Sequence, residues 1–147
     1  MAGTAMDVLS LREFATGAEF YEESRRAESF AESTHDLGWD PAQMAAAGFV
    51  CLDQQPGVDV SARCFFCLLE VRRWVSGDDP RQVHALRSPA CAFLALRSPY
   101  ALLPVEEFLR LELQRAHNYV REMECRFLHE FMDSAATVRL HMERFIR

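Results

Sequence analysis

The chain has 147 residues, half of them apolar and 26% charged, which is the balance of a folded protein and excludes disorder. Its formal net charge of −6 argues against a whole-surface attraction to DNA or to anionic membrane, both of which are drawn by basic stripes. All 16 basic residues are Arg, so no side-chain amine is present for acetylation or ubiquitin attachment.

Residues 1–20 mix Met, Leu, Phe and acidic residues in a weakly helical pattern, and a mobile or loosely docked arm is expected there. Between Met1 and Phe20 no basic region leads into an apolar run, and no later stretch of about 18 residues is apolar and free of charge. An intracellular chain that does not span a membrane is the expectation. From residue 21 to 97 short elements are broken by turns. Asp40-Pro41 opens a helix that runs through Met44 and Ala47 to a stop at Gly48, Phe49 to Leu52 reads as a strand, and Gln55-Pro56-Gly57 as a turn. Arg63 to Leu69 and Val71 to Val75 read as the second and third strands of a small antiparallel sheet. Asp79-Pro80 starts another helix, because Asp caps free N–H groups and Pro at the first helical position loses no bond; Ser88-Pro89 ends it.

After a linker at residues 98–103, no Pro or Gly follows Pro104, and residues 104–147 read as one helix of up to about 65 Å. Glu106 and Glu107 in its first turn and Arg144 and Arg147 in its last match the helix macrodipole. The predicted class is α+β: a small domain with a three-stranded antiparallel sheet and short helices, then one long C-terminal helix.

The chemistry is concentrated in Cys64, Cys67, His84 and Cys91, spaced C-x2-C-x16-H-x6-C. Zinc prefers four tetrahedral N and S ligands, and a closed Cys3His set leaves no position for an activated water, so one structural Zn2+ is predicted and no catalysis. Five cysteines is an odd number, and the other two, Cys51 and Cys125, have no partner at ligand spacing; they read as a buried strand residue and a helix-face residue. His117, His129 and His141 recur at intervals of twelve, which places no two of them one turn apart.

The run Met44-Ala45-Ala46-Ala47-Gly48-Phe49, followed by Cys64-Phe65-Phe66-Cys67, Trp74, Asp78-Asp79-Pro80, His84 and Cys91-Ala92-Phe93-Leu94, resembles the baculovirus IAP repeat, or BIR domain. Arg26 and Ser29-Phe30 fit its start, with Ser33 near the place where a Trp often stands. One BIR and then Glu106-Glu107-Phe108-Leu109-Arg110-Leu111 leading a long helix is similar to the survivin-like members of that family. That resemblance implies a subunit of the chromosomal passenger complex, bundled with helices of Borealin and the inner centromere protein and helping to place Aurora B kinase. It also implies a groove that reads a histone N-terminal tail, phosphorylated on its third residue, and residence in the nucleus, at the centromere and spindle midzone in mitosis, and in the cytoplasm otherwise.

A groove for a peptide N-terminus needs a carboxylate for the ammonium and a small apolar slot for the first side chain. Val71, Trp74 and Asp78 match those family positions, although Trp74 also reads as core and Asp78 as a loop carboxylate. Arg72 stands where the family has a second acid, and Arg87 where it has a histidine near the phosphate. The competing reading is an inhibitor of apoptosis that binds Smac-like peptides with a free N-terminal Ala, or caspases; those members often carry Trp at the position of Arg87. On the helix, Val105, Leu109, Ala116, Val120, Met123, Phe127, Phe131, Val138, Met142 and Phe145 form a stripe at mostly three- and four-residue steps, flanked by Phe108, Tyr119, Leu128, Met132 and Ile146. This is broader than a two-stranded seam, and partner helices are predicted. Tyr100, Leu103, Val105, Phe108 and Leu109 match the region through which the survivin-like members self-associate, so a homodimer is expected when partners are missing.

Overall fold

A computed structural model describes residues 14–15, 17–31, 40–52 and 60–145. Most of the N-terminal arm, Ser33, the turn expected at Gln55-Pro56-Gly57 and the terminal Ile146 and Arg147 lie outside the described residues.

A 3-10 turn, Gly17–Tyr21, leads into α1 (Glu23–Glu28). The next helix, α2 (Pro41–Ala46), is capped by Asp40, whose side chain accepts from the Ala42 N–H at 2.9 Å. Gly48 reverses the chain at φ +88°, and a Cβ there would sit 2.5 Å from the Phe93 ring, so only Gly fits. That reversal feeds β1 (Phe49–Cys51), which pairs antiparallel with β2 (Ser61–Cys64); β2 pairs in turn with β3 (Glu70–Arg72), in the order β1-β2-β3.

Both later strands are shorter than the sequence suggests. After Cys64 the chain turns over residues 65–67 and passes Leu68 at φ 62°, while β3 ends before Arg73 at φ 59°. A residue in the left-handed region cannot continue a ladder. Then α3 (Pro80–Arg87) starts at Asp79, whose Oδ1 accepts from Arg81 N–H at 2.9 Å and Gln82 N–H at 3.2 Å. The chain continues through α4 (Ala92–Ala95), a second 3-10 turn at Tyr100–Leu102, and α5 (Val105–Phe145), a single helix of 41 residues.

The core gathers Phe30, Met44, Phe49, Cys64, Phe66 and His84, all fully buried, between the sheet and the short helices. Arg26 is buried with them: its Nε donates to Ala45 O at 2.7 Å, its Nη1 to Phe20 O at 2.6 Å and Tyr21 O at 3.0 Å, and its guanidinium lies 5.3 Å and 5.1 Å from the Phe65 and Phe93 ring centroids. These contacts bind the 3-10 turn and α2 to one charged centre.

The first turns of α5 dock on this domain. Leu111, Arg115 and Tyr119, one helical turn apart, are buried, and Asn118 Nδ2 donates to Phe66 O at 3.0 Å. Arg115 makes a two-pronged contact with Glu112 at 2.8 and 3.0 Å, donates to Phe14 O at 3.1 Å, and lies 4.2 Å over the Phe14 ring, which in turn packs against Tyr119. From Glu124 to Phe145 every residue of α5 is exposed. No helix among the described residues is long and apolar enough to cross a membrane.

Candidate metal centre and peptide groove

The four predicted ligands converge. Cys64 closes β2, Cys67 ends the following turn, His84 faces inward from α3, and Cys91 stands at the start of α4; their ligand atoms all lie within 4.8 Å of one another. His84 Nδ1 lies 2.8 Å from Ala47 O and Nε2 lies 3.3 Å from Cys67 Sγ. Because a carbonyl only accepts, Nδ1 carries the proton and Nε2 is free for a metal. The Phe66 and Cys67 N–H groups donate to Cys64 Sγ at 3.4 and 3.5 Å, which favours its thiolate.

Without a cation the same atoms compete for protons. Burial pushes the Cys64 thiol well up, whereas hydrogen bonds from Cys64 and Cys91 hold Cys67 far below its usual range. Burial pulls His84 down, but its contacts with Cys67 and Cys91 and with the Ala47 carbonyl outweigh that and raise it to about 10. A divalent cation fits where these thiols and the imidazole otherwise share protons. Donor set, tautomer and closure all suit tetrahedral zinc, with no position left for water.

A closed Cys3His cluster joined to a three-stranded sheet defines a BIR-type zinc domain, and residues 26–95 match the BIR family, described as the Inhibitor of Apoptosis domain. Over 126 residues the chain is 36% identical to "Baculoviral IAP repeat-containing protein 5.2" of Xenopus tropicalis, covering 84% of this chain and 80% of that protein. It is 37% identical over 109 residues to "Baculoviral IAP repeat-containing protein 5" of Mus musculus, covering 74% and 77%. Among solved structures, it is similar to the DIAP1 BIR1 domain bound to a Grim peptide, at 26% identity and a TM-score of 0.44, covering 62% of this chain and 90% of that one. The chain belongs to the survivin-like single-BIR proteins. BIR domains bind structural zinc, and Cys64, Cys67, His84 and Cys91 are positioned to hold one ion.

The predicted groove residues lie along β3, the loop after it and the end of α3. Val71 and Trp74 are buried; Trp74 stands edge-on to Phe49 at 5.1 Å, and its Nε1–H meets no acceptor. Half-buried Asp78 accepts from the Val75 N–H at 2.8 Å through Oδ2. Arg72 is exposed and donates to Glu70 Oε1 at 2.6 Å, while Arg87 is exposed in the last turn of α3.

The predicted assembly residues divide into two groups. Tyr100, Leu103 and Phe108 pack against the core of their own chain, and Ala116 and Met123 are half-buried. Val105, Leu109, Val120, Phe127, Phe131, Val138 and Met142 are exposed. The sequence reading missed Leu111 and Arg115 as docking residues, and the signal for them was the four-residue step to Tyr119. It was concealed because a buried Arg reads as polar.

Proposed function

We propose that this chain is a non-enzymatic adaptor of a chromosomal passenger complex, in which the long helix bundles with Borealin-like and inner-centromere-protein-like helices. The observation that carries the reading is the uncovered far part of α5, where Phe127, Phe131, Met132, Val138, Leu140 and Met142 are each more than half exposed. A helix this apolar is unsuited to stand alone in water, and its residues recur on more than one face, as a bundle of several helices requires. A second copy of the chain pairs through the linker and the start of α5, where Val105 and Leu109 are exposed, when partners are missing. The adaptor works in the nucleus, at centromeres and the spindle midzone in mitosis, and in the cytoplasm otherwise.

The BIR groove in this proposal reads a phosphorylated histone N-terminal tail. Asp78 takes the terminal ammonium, the slot at Val71 and Trp74 takes the first side chain, and Arg87 grips the phosphate. Arg87 favours this over an apoptosis inhibitor that takes Smac-like peptides or caspases, because a guanidinium suits a phosphate better than an apolar peptide.

Co-expression with Borealin and inner-centromere-protein helical fragments, followed by light scattering, tests the assembly. A three-chain complex of equal stoichiometry is expected, and it is expected to fail to form when Phe127 and Phe131 are both changed to Glu. A complex indifferent to that double change overturns the proposal.

A further inference from the structure

We propose that a second cleft, on the side of the zinc domain where α1 and α4 meet the linker, binds a phosphate monoester through Arg26, Arg81 and Arg97. The cleft has a volume of about 350 Å³, within the size range of small-ligand sites. Its lining places three guanidinium groups against one carboxylate, that of Glu23, a local excess of two positive charges in a chain of net charge −6.

Arg26 is the built part of the site. It is only 3% exposed and borders the cleft, and no carboxylate forms an ion pair with it among the described residues. Its Nε and Nη1 are committed to the carbonyls of Ala45, Phe20 and Tyr21, and its Nη2 makes no hydrogen bond among the described residues. Its direct contacts are carbonyls and ring faces, and burial lowers its affinity for its own proton against the opposing attraction of Glu23 and Cys64, so its charge is only partly compensated and a bound anion would add to that compensation.

Arg81 and Arg97 supply the rim. Both are exposed; Arg81 spends Nη2 on Leu94 O at 3.2 Å, and Arg97 makes no ion pair among the described residues. Phe93 and Tyr100 line the cleft with ring carbon, which lowers the local dielectric and strengthens each charged hydrogen bond. Several planar donors around one space suit the three oxygens of a phosphate dianion better than a single carboxylate. The phosphate can belong to a small molecule or to a phosphorylated side chain, since both present the same dianion.

The test is calorimetry on zinc-loaded full chain with three probes: inorganic phosphate, adenosine monophosphate and the blocked peptide acetyl-Ala-phosphoSer-Ala-amide. Blocking the amine keeps the peptide from using the Asp78 groove. Saturable binding is expected, weakened about tenfold by Arg81→Ala or Arg97→Ala and lost in the double variant. These rim positions are solvent-facing, so zinc content and melting temperature stay at the parental values, which a folding defect would not allow. The Arg26 Nε–H resonance is expected to shift on phosphate addition. Equal affinity for all three probes assigns a free phosphate source, and preference for the peptide assigns a phosphorylated partner. No saturable binding by any probe overturns the proposal, as does binding that survives the double variant or that Arg87→Ala alone abolishes.

Discussion

His84 donates its Nδ1–H to the Ala47 carbonyl at 2.8 Å and so turns Nε2 toward Cys67 Sγ, 3.3 Å away. The last residue before the Gly48 reversal thus orients a ligand on a helix 37 positions further on. Metal binding and the α2–β1 junction are one structural unit. A domain of this size has a marginal core by itself, and an apparent metal-binding free energy of about 10 kcal/mol exceeds what that core supplies. Chelation is expected to unfold the BIR domain cooperatively, seen as loss of tertiary circular dichroism, while the helical signal of α5 falls less. A chelated protein that melts at the parental temperature rules this out.

Zinc binding is expected to release protons and to weaken as pH falls. Cys64, raised by burial, and His84, raised to about 10 by its thiol and carbonyl partners against the pull of burial, both hold protons at neutral pH in the metal-free chain. Each must give its proton up to ligate, so affinity rises with pH until both are deprotonated and drops on acidification. Calorimetry in two buffers of different ionisation enthalpy reads the protons directly, and a buffer-independent heat contradicts the assignment.

The docking of α5 depends on a buried charge. Arg115 has a side chain only 3% exposed, whereas its partner Glu112 remains 25% exposed. Removing the carboxylate therefore strands a buried guanidinium, while removing the guanidinium leaves an anion that water can reach. Glu112→Ala is expected to cost about 3 kcal/mol and Arg115→Met about 1 kcal/mol. Hydrogen bonding to Arg115 holds the Glu112 carboxyl below its usual range against a smaller upward push from burial. Its folded value is thus depressed, so its contribution is complete above the unfolded carboxyl range and is lost as pH falls through the folded value. Urea melts of both variants across the acid range check the order and the slope. Near this pair the Tyr21 hydroxyl makes no hydrogen bond of ordinary geometry, yet burial first, and the Glu112 carboxylate second, push its ionisation upward.

The metal centre was legible in the sequence because its ligands carry distinctive chemistry at short spacings, and the caps at Asp40-Pro41 and Asp79-Pro80 locate the helices that position it. The strand ends were not, because Leu68 and Arg73 adopt left-handed backbone without the Gly or Asn that would announce it. Burial of Arg26 and Arg115 was equally hidden, since nothing local marks an Arg whose partners are distant carbonyls and rings. On α5, a continuous apolar stripe announces contact without saying which part faces the chain's own domain.

Gly48 is required for two separable reasons, its φ of +88° and the Phe93 ring, which would lie 2.5 Å from a Cβ at that position. Gly48→Ala is expected to destabilise by about 2 kcal/mol or more, from backbone strain and from the displaced ring together. In a Phe93→Ala background only the backbone part remains, so the glycine substitution should cost less there. An equal cost in both backgrounds shows that the ring yields freely and that the backbone alone demands glycine.

The proposed peptide groove sets two arginines against each other. Asp78 already accepts the Val75 N–H at 2.8 Å and has one oxygen left for an incoming ammonium. Arg72, where the family places a second acid, opposes that ammonium by about 1 kcal/mol in a partly solvated groove, although its 2.6 Å pair with Glu70 turns part of its charge aside. In the same proposal Arg87 acts in the other direction on a phosphate two residues further along the peptide. With Ala-Arg-phosphoThr-Lys peptide, Arg72→Gln is therefore expected to tighten binding several-fold, and Arg87→Ala to remove most of the difference between phosphorylated and unphosphorylated forms. N-acetylation should weaken binding in every variant, because in the proposed reading the ammonium is the group that Asp78 takes. Calorimetry on zinc-loaded protein separates these effects. If acetylation makes no difference, the peptide does not enter by its N-terminus and the Asp78 role fails; if Arg72→Gln has no effect, the Glu70 pair already neutralises that side chain.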